Sequence, residues 1–263
     1  MLSTVFATKR SMTQAWTKQG KRVAVTRVVV KPNVIVSEQV QPSLKAKMFE
    51  IGYGDKKLKN MTKPLRTKLS KSGFSFGVLQ LKGRVDLDEN SEVKIGSTIA
   101  ASDVLEVGDL VDVRGITKGR GFSGAMKRHG FHGVGGRTHG QSDRSRAVGA
   151  IGAGTDPGRV IPGKKMPGQY GNDTKTVEGL TVLYIDQSTG EVWLSGPVPG
   201  AITSTIEITK VGQKKEIELD KKASGIKEEV VAEVTAPAAL EEVAEVEVEV
   251  KETEATPEVA EEK

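Results

Sequence analysis

Between Gly119 and Gly124 the chain reads Gly-Arg-Gly-Phe-Ser-Gly, the G-x-G-x-x-G spacing that lets a backbone turn approach a dinucleotide pyrophosphate. That chemistry needs a strand before the turn, a helix opening on it, and an acid about 20 residues further on. "DLVDVRGIT" supplies the strand. "AMKRHGFHGVGG" offers five residues before the next glycine and then more glycines, so no helix is expected to develop. Asp143 sits in "QSDRSR", which is not a strand end. A nucleotide-binding enzyme using residues 119–124 is therefore the weaker reading.

Other chemistries lack their parts. His129, His132 and His139 share the segment, but the chain has no cysteine and no glutamate nearby, so a closed tetrahedral zinc site lacks a fourth ligand. "GKK" at 163–165 lacks the frame of a phosphate-binding P-loop. Ser123, Ser142 and Ser145 have neither a G-x-S-x-G context nor a positioned base. No catalytic residue, metal or cofactor is expected.

What the segment does carry is cations and glycine. Residues 114–175 hold sixteen of the thirty glycines, twelve Lys or Arg, and only Asp143, Asp156 and Asp173 as acids. Glycine lets backbone N–H groups come close to phosphate oxygens, and the cations neutralise them. The candidate contacts are Lys118, Arg120, Lys127, Arg128, Arg137, Arg144, Arg146, Arg159, Lys164 and Lys165. His129, His132 and His139 would lie against phosphates or bases, and Gly119, Gly121 and Gly124 would give close backbone approach. Aromatics are scarce, which disfavours reading sequence by base stacking. A basic, glycine-rich, aperiodic segment reads as a chain threaded into folded RNA and ordered by it.

Charge separates the chain into two parts. From Glu216 onward sixteen acids oppose five lysines, a net −11, so the first 215 residues hold +16 of the overall +5. A body that basic attracts polyanions. Beyond about residue 225, alternating Glu and Val with Ala, Thr and Pro is low-complexity sequence that cannot bury a core, and a disordered, solvated tail is expected. No apolar run approaches the roughly 20 residues of a membrane-spanning helix.

The elements that must hold the segment read as strands. "VAVTRVVVKPNVIV" suggests a hairpin turning at Pro32-Asn33, and "AKMFEIGYG" (46–54) a further strand. "KKLKNMTKPLRTKLSKSGF" (56–74) is basic, with a helix expected after Pro64. "FGVLQLKGRVDL" and "VLEVGDLVDVRGIT" return to strand character, and Gln187–Gly190 turns a hairpin into "EVWLS". "TIEITK" alternates into a last strand. The start is basic and free of acids up to Glu38, as organellar leaders are, but strand character from residue 21 leaves little room for a removable segment.

"VDVRGITKGRGFSGAMKRHGF", "THGQSDRSRAVGAIGAGTDPGRVIPGKKMPGQYGN" and "SGPVPGA" closely resemble the ribosomal protein L-three family, the universal third protein of the large ribosomal subunit. The resemblance runs from Met1, where "MTQAWTKQGKRVAVTRVVV" is similar to the family's opening, to about residue 212. It implies a mainly β protein: a β-barrel of the translation-protein type with a long internal extension. The expected division is 1–113 for the first part of the barrel, with a basic insertion near 55–75, and 114–175 for the extension. Residues 176–215 would complete the barrel and 216–263 form the acidic tail. It also implies large-subunit rRNA and neighbouring ribosomal proteins as partners, an early role in subunit assembly, an extension reaching towards the peptidyl-transferase centre, and a cytoplasmic place. No membrane or small-molecule substrate is implied. Lys118, Arg120, Lys127, Arg128, His139, Arg144, Arg159, Lys164 and Lys165 match the family's rRNA contacts by position. The chain departs where His129 replaces a tryptophan frequent in bacterial relatives. Ala153 replaces a glutamine methylated in some of them, so that modification is expected to be absent.

Overall fold

The computed structural model describes residues 3–41, 46–86, 94–133, 139, 144–213 and 217–225. The chain opens with strands β1 (Thr4–Trp16), β2 (Arg22–Val29), β3 (Asn33–Gln41) and β4 (Ala46–Lys56). Helix α1 (Lys63–Lys71) precedes β5 (Gly77–Asp86), the short β6 (Thr98–Ile99) and β7 (Asp109–Ile116). Then come β8 (Phe122–Ser123), α2 (Ala125–His129), β9 (Gly168–Gln169), β10 (Thr174–Asp186), β11 (Glu191–Ser195) and β12 (Thr205–Gln213). Six of these strands close an antiparallel barrel in the order β1-β12-β7-β10-β11-β2. Closure leaves none of the six with an open edge. A second sheet runs β5-β4-β3-β6.

Alternation decides which residues fill the barrel. Along β7, Asp109, Val111, Val113 and Gly115 are buried while Arg114 and Ile116 are exposed, as a period of two requires. Val111, Val113, Val192, Leu194, Ile206 and Ile208 form the interior, continuous with Ile35, Phe49, Ile51 and Tyr53 of the second sheet. Each such side chain contributes about 1.5–3 kcal/mol by leaving water.

The second sheet is fastened to the barrel by polar contacts around one aromatic. Phe6 of β1 is 1% exposed. Its ring lies under the Lys82 ammonium (5.6 Å) and the Arg84 guanidinium (5.7 Å) of β5. Arg84 pairs with the buried Glu207 of β12. Asn33, 1% exposed, accepts from the Phe6 N–H through Oδ1 (3.1 Å) and donates through Nδ2 to the carbonyls of Phe6 and Lys31 (both 3.2 Å).

That amide explains why the strands at 21–37 do not form the expected hairpin. β2 pairs with β1 and β11, whereas β3 pairs with β4 and β6, so the chain crosses from barrel to sheet at Lys31-Pro32. The β-branched runs specify strands without choosing partners. Residues 4–16, not read as a strand from the sequence, form β1: Thr4–Ala7 are buried in succession, Phe6 against the second sheet, and Arg10–Gln14 are exposed in succession, so no alternation shows. The remaining expectations for 46–54, the helix after Pro64, 76–87 and the 187–190 turn correspond to β4, α1, β5 and the β10–β11 hairpin.

Two boundaries move. β7 runs through Ile116 and β10 starts at Thr174, so both barrel strands enter the segment drawn at 114–175. Residues 217–225 lie on the barrel instead of starting a free tail. Leu219 bridges Thr17, Ile217 and Leu219 pack beside Trp193 and Val25, Lys18 pairs with Glu218, and the Asp220 N–H donates to the Trp16 carbonyl. The rest of the acidic segment lies outside the described residues.

Replacing Asn33 with Ala leaves the buried N–H and C=O of Phe6 without their partner. Urea unfolding should show a loss of about 1–3 kcal/mol or more. A second outcome concerns pH. Arg27, hydrogen-bonded to Glu191 (Nη2–Oε2 2.7 Å), and the Trp193 Nε1–H (2.6 Å) hold the Glu191 carboxyl below its ordinary 4.5, although partial burial acts the other way. A depressed carboxylate pKa gives stability that is present above the unfolded value and lost as pH falls through the folded one. Denaturation midpoints should therefore drop below about pH 4.5 in the natural chain, and drop less over that window in Glu191→Gln.

Candidate nucleic-acid interface

The β7–β10 ladder continues beyond the barrel as a two-armed ribbon. The Thr117 N–H and Oγ1 both donate to the Asp173 carbonyl (2.9 and 3.1 Å), and the Asp173 N–H donates back to Thr117 Oγ1 (3.2 Å). The Arg120 N–H donates to the Tyr170 carbonyl and the Tyr170 N–H to the Gly121 carbonyl, each at 2.9 Å. Phe122 then pairs with Gln169 and Ser123 with Gly168, as β8 and β9. The root of the segment is thus regular, although glycine hides its period of two in the sequence.

Gly171 (φ +71) and Asn172 (φ +60) are consecutive left-handed residues between β9 and β10, and a Cβ on Gly171 would overlap the Lys118 carbonyl oxygen. Only glycine fits where the two arms approach so closely. Beneath the root sits the loop of "SGPVPGA". Lys9, on β1, buries its Nζ there and donates to the carbonyls of Val198 (2.6 Å) and Gly200 (3.1 Å). Burial, with the nearby Lys118 charge as a smaller cause, lowers the Lys9 pKa.

One turn of helix does follow Gly124, contrary to the sequence expectation. α2 spans Ala125–His129 and stops at Gly130 (φ +74), whose N–H donates to the Met126 carbonyl. Five residues suffice for one turn when a left-handed glycine ends it. Its far side is tied to the returning arm. Arg128 Nη1 donates to the Met166 carbonyl (2.9 Å), and His129 Nε2 lies 3.1 Å from the same oxygen. A Cβ on Gly168 would lie 2.7 Å from Arg128 Nη1.

The G-x-G-x-x-G glycines divide by role. Gly121 has φ +62 and needs glycine, whereas Gly124 is extended at φ −64, and neither would place a Cβ within 4 Å of another atom. The space beside both is open. Gly119 would place a Cβ no nearer than 3.8 Å, from Asn172 Cβ.

The cations point outward. Arg114, Lys118, Arg120, Lys127, Arg144, Arg146, Arg159, Lys164, Lys165 and Lys175 are exposed, and Arg128 is half-buried. Arg120 lies over the Tyr170 ring at 5.1 Å. Among the described residues none of these eleven pairs with a carboxylate, whereas Arg27, Lys31, Lys47, Lys68, Arg84 and Lys210 elsewhere all do. His132 and His139 are exposed, and His129 meets Phe131 edge-on. Arg137 and Asp143 lie outside the described residues. Among those described, no three His, Asp or Glu side chains converge as metal ligands.

The structure thus brings Arg128 and His129 together as packing groups, and among the described residues it leaves the other candidates exposed on the segment between β7 and β10. One residue was missed. Phe122 is 80% exposed while its strand neighbour Ser123 is buried, so an aromatic face is presented among the cations. Its signal is the alternation Phe-out, Ser-in, legible only once the ribbon is known.

Residues 2–197 match the family model described as ribosomal protein L3. A protein of Herpetosiphon aurantiacus named large ribosomal subunit protein uL3 is 35% identical over 213 residues, covering 81% of this chain and 98% of that protein. Its namesake from Persephonella marina is 39% identical over 204 residues (78% of this chain, 88% of that one). The one from Neisseria meningitidis is 37% identical over 207 residues (78% and 96%).

Gly171→Ala should loosen the ribbon without unfolding the barrel. Limited proteolysis should cut within residues 117–173 markedly faster than in the natural chain while the barrel's thermal transition stays in place. Unchanged cleavage would mean that the two arms do not depend on this crossing.

Proposed function

Because the chain belongs to the ribosomal protein L3 family, we propose that the ribbon rising from β7 and β10 is the surface with which it grips large-subunit rRNA. The protein is a structural constituent of the large ribosomal subunit in the cytoplasm, held among rRNA and neighbouring ribosomal proteins, and it is not an enzyme. The division of labour is the proposed part. The barrel, formed from residues on both sides of the extension, is the anchor. Residues 117–173 are the penetrating element, directed towards the peptidyl-transferase centre, and the contacts made early in subunit assembly are phosphate contacts along this element.

The observation that carries this reading is the charge contrast. Eight exposed cations without carboxylate partners among the described residues lie on the one segment between β7 and β10, and they repel one another. A polyanion removes that repulsion and gains entropy from released counterions. Lys118, Arg120, Lys127, Arg144, Arg146, Arg159, Lys164 and Lys165 supply the phosphate contacts. Gly121 and Gly124, with open space beside them, let the rRNA backbone approach the chain directly. Arg128 and His129 act first by joining the arms through Met166, so their loss acts on the shape of the ribbon as well as on its charge. Phe122 offers a base a stacking face.

Replacing Arg159, Lys164 and Lys165 together with Gln should reduce the magnitude of the log K against log salt slope for rRNA fragments by about 2 to 3. Each phosphate that is no longer neutralised removes roughly 0.7–0.9 from that slope. The melting temperature should stay within a degree or so of the natural chain, because all three side chains are exposed. An unchanged slope would remove the ribbon from the interface.

A further inference from the structure

We infer that the outward face of α1, with the 3-10 turn before it, is a second RNA-phosphate-binding surface, separate in sequence and in fold from the ribbon. The inference rests on the proposed rRNA-binding function and extends it to an element for which that function makes no claim.

The same criterion that marks the ribbon marks this segment. From Lys56 to Lys82 the chain contains no acid. Lys56, Lys57, Lys59, Lys63, Arg66 and Lys71 are exposed, and none has a carboxylate partner among the described residues. Arg66 donates to the Leu58 carbonyl (2.7 Å), fixing the turn Leu58–Asn60 against the helix. Lys68 differs: it pairs with Glu50 of β4 and belongs to the base of the helix.

Helical spacing sorts these residues by face. At 100° per residue, Leu65, Lys68, Leu69 and Ser72 fall on one side. Leu69 is 2% exposed among Val34, Val36 and Val78, and Ser72 Oγ donates to the Val36 carbonyl, so this side is fixed to the second sheet. Lys63, Arg66, Thr67, Ser70 and Lys71 fall on the other side: three cations and two hydroxyls, with no acid. From Lys63 to Lys71 the face is about 12 Å long.

This arrangement weakens the helix locally. Its first turn carries no acid and begins with Lys63, where the dipole favours negative charge. Lys63 and Arg66 are like charges three apart, which repel. Local rules broken together on a rigidly seated element mark a functional surface. An anion laid along the face offsets both effects.

The composition selects nucleic acid over a protein partner. Five of the six free cations are lysines, which protein interfaces disfavour and which bind phosphate as point charges. The exposed apolar residues nearby, Leu65, Phe76 and Leu79, do not lie on this face: Leu65 points to the base side, and the others belong to or adjoin β5.

The test uses the full chain with Lys59, Lys63 and Lys71 replaced by Gln, leaving Arg66 to hold its carbonyl. Binding to large-subunit rRNA is measured as a function of salt, beside the Arg159, Lys164 and Lys165 variant. The expected result is a slope smaller in magnitude by about 2 to 3, an unchanged melting temperature, and effects that add when the two triple variants are combined. A natural-type slope in this variant, with a reduced slope in the ribbon variant, would overturn the inference and leave the parent reading standing. Normal binding to naked rRNA with impaired incorporation into subunits would also overturn it, by assigning the face to a protein neighbour. Natural-type slopes in both variants would bring down the rRNA-binding reading itself.

Discussion

The antiparallel ladder between β7 and β10 is the constraint on which the rest depends. It is a wall of the closed barrel from Leu110 to Ile116, and then, without changing partners, it becomes the root of the extension through Thr117 and Asp173. Shared hydrogen bonding fixes the ribbon's direction by the barrel's packing, which a flexible tether could not do. The close crossing at Gly171 and the buried Lys9 beneath it belong to the same device. They hold a strongly self-repelling segment in place before any partner is present.

Electrostatics divides the molecule by task. In the barrel and second sheet, several cations close ion pairs across strands: Arg27 with Glu191, Arg84 with Glu207, and Lys210 with the buried Asp109. Along the ribbon and on the outer face of α1, cations have no such partners among the described residues. The first set serves the fold. The second leaves an excess of positive charge among the described residues that a polyanion neutralises. The nucleotide reading of residues 119–124 has no place in this scheme, because the motif lies in a ribbon and its helix is a single turn.

Much of this was legible in the sequence, and the exceptions have physical causes. Glycine and cation density located the extension, strand-type composition and turn residues located β4, β5, β7, β10 and β11, and alternation located β12. Strand pairing was not legible at 21–37, because Val and Ile runs state a conformation and leave the partner to Asn33 and the Phe6 backbone. β1 was hidden because Thr4–Ala7 are buried in succession and Arg10–Gln14 exposed in succession, so no period of two shows. The regularity of residues 117–123 was hidden because a ribbon of Gly, Arg and Lys buries too little to show a period. The blocks around "SGPVPGA" identified the family, while the structure explains one of them: its carbonyls are the acceptors for Lys9.

The central claim is that rRNA binding resides chiefly in phosphate contacts made by the ribbon. Because Thr117 and Asp173 already face each other across the ladder, residues 118–172 can be replaced by a short Gly-rich turn without displacing a barrel strand. The decisive measurement is the salt dependence of large-subunit rRNA binding for this closed-ribbon chain beside the natural one, with barrel folding checked by circular dichroism. The account predicts a folded barrel that has lost most of the slope. A folded barrel that keeps the natural slope would contradict it.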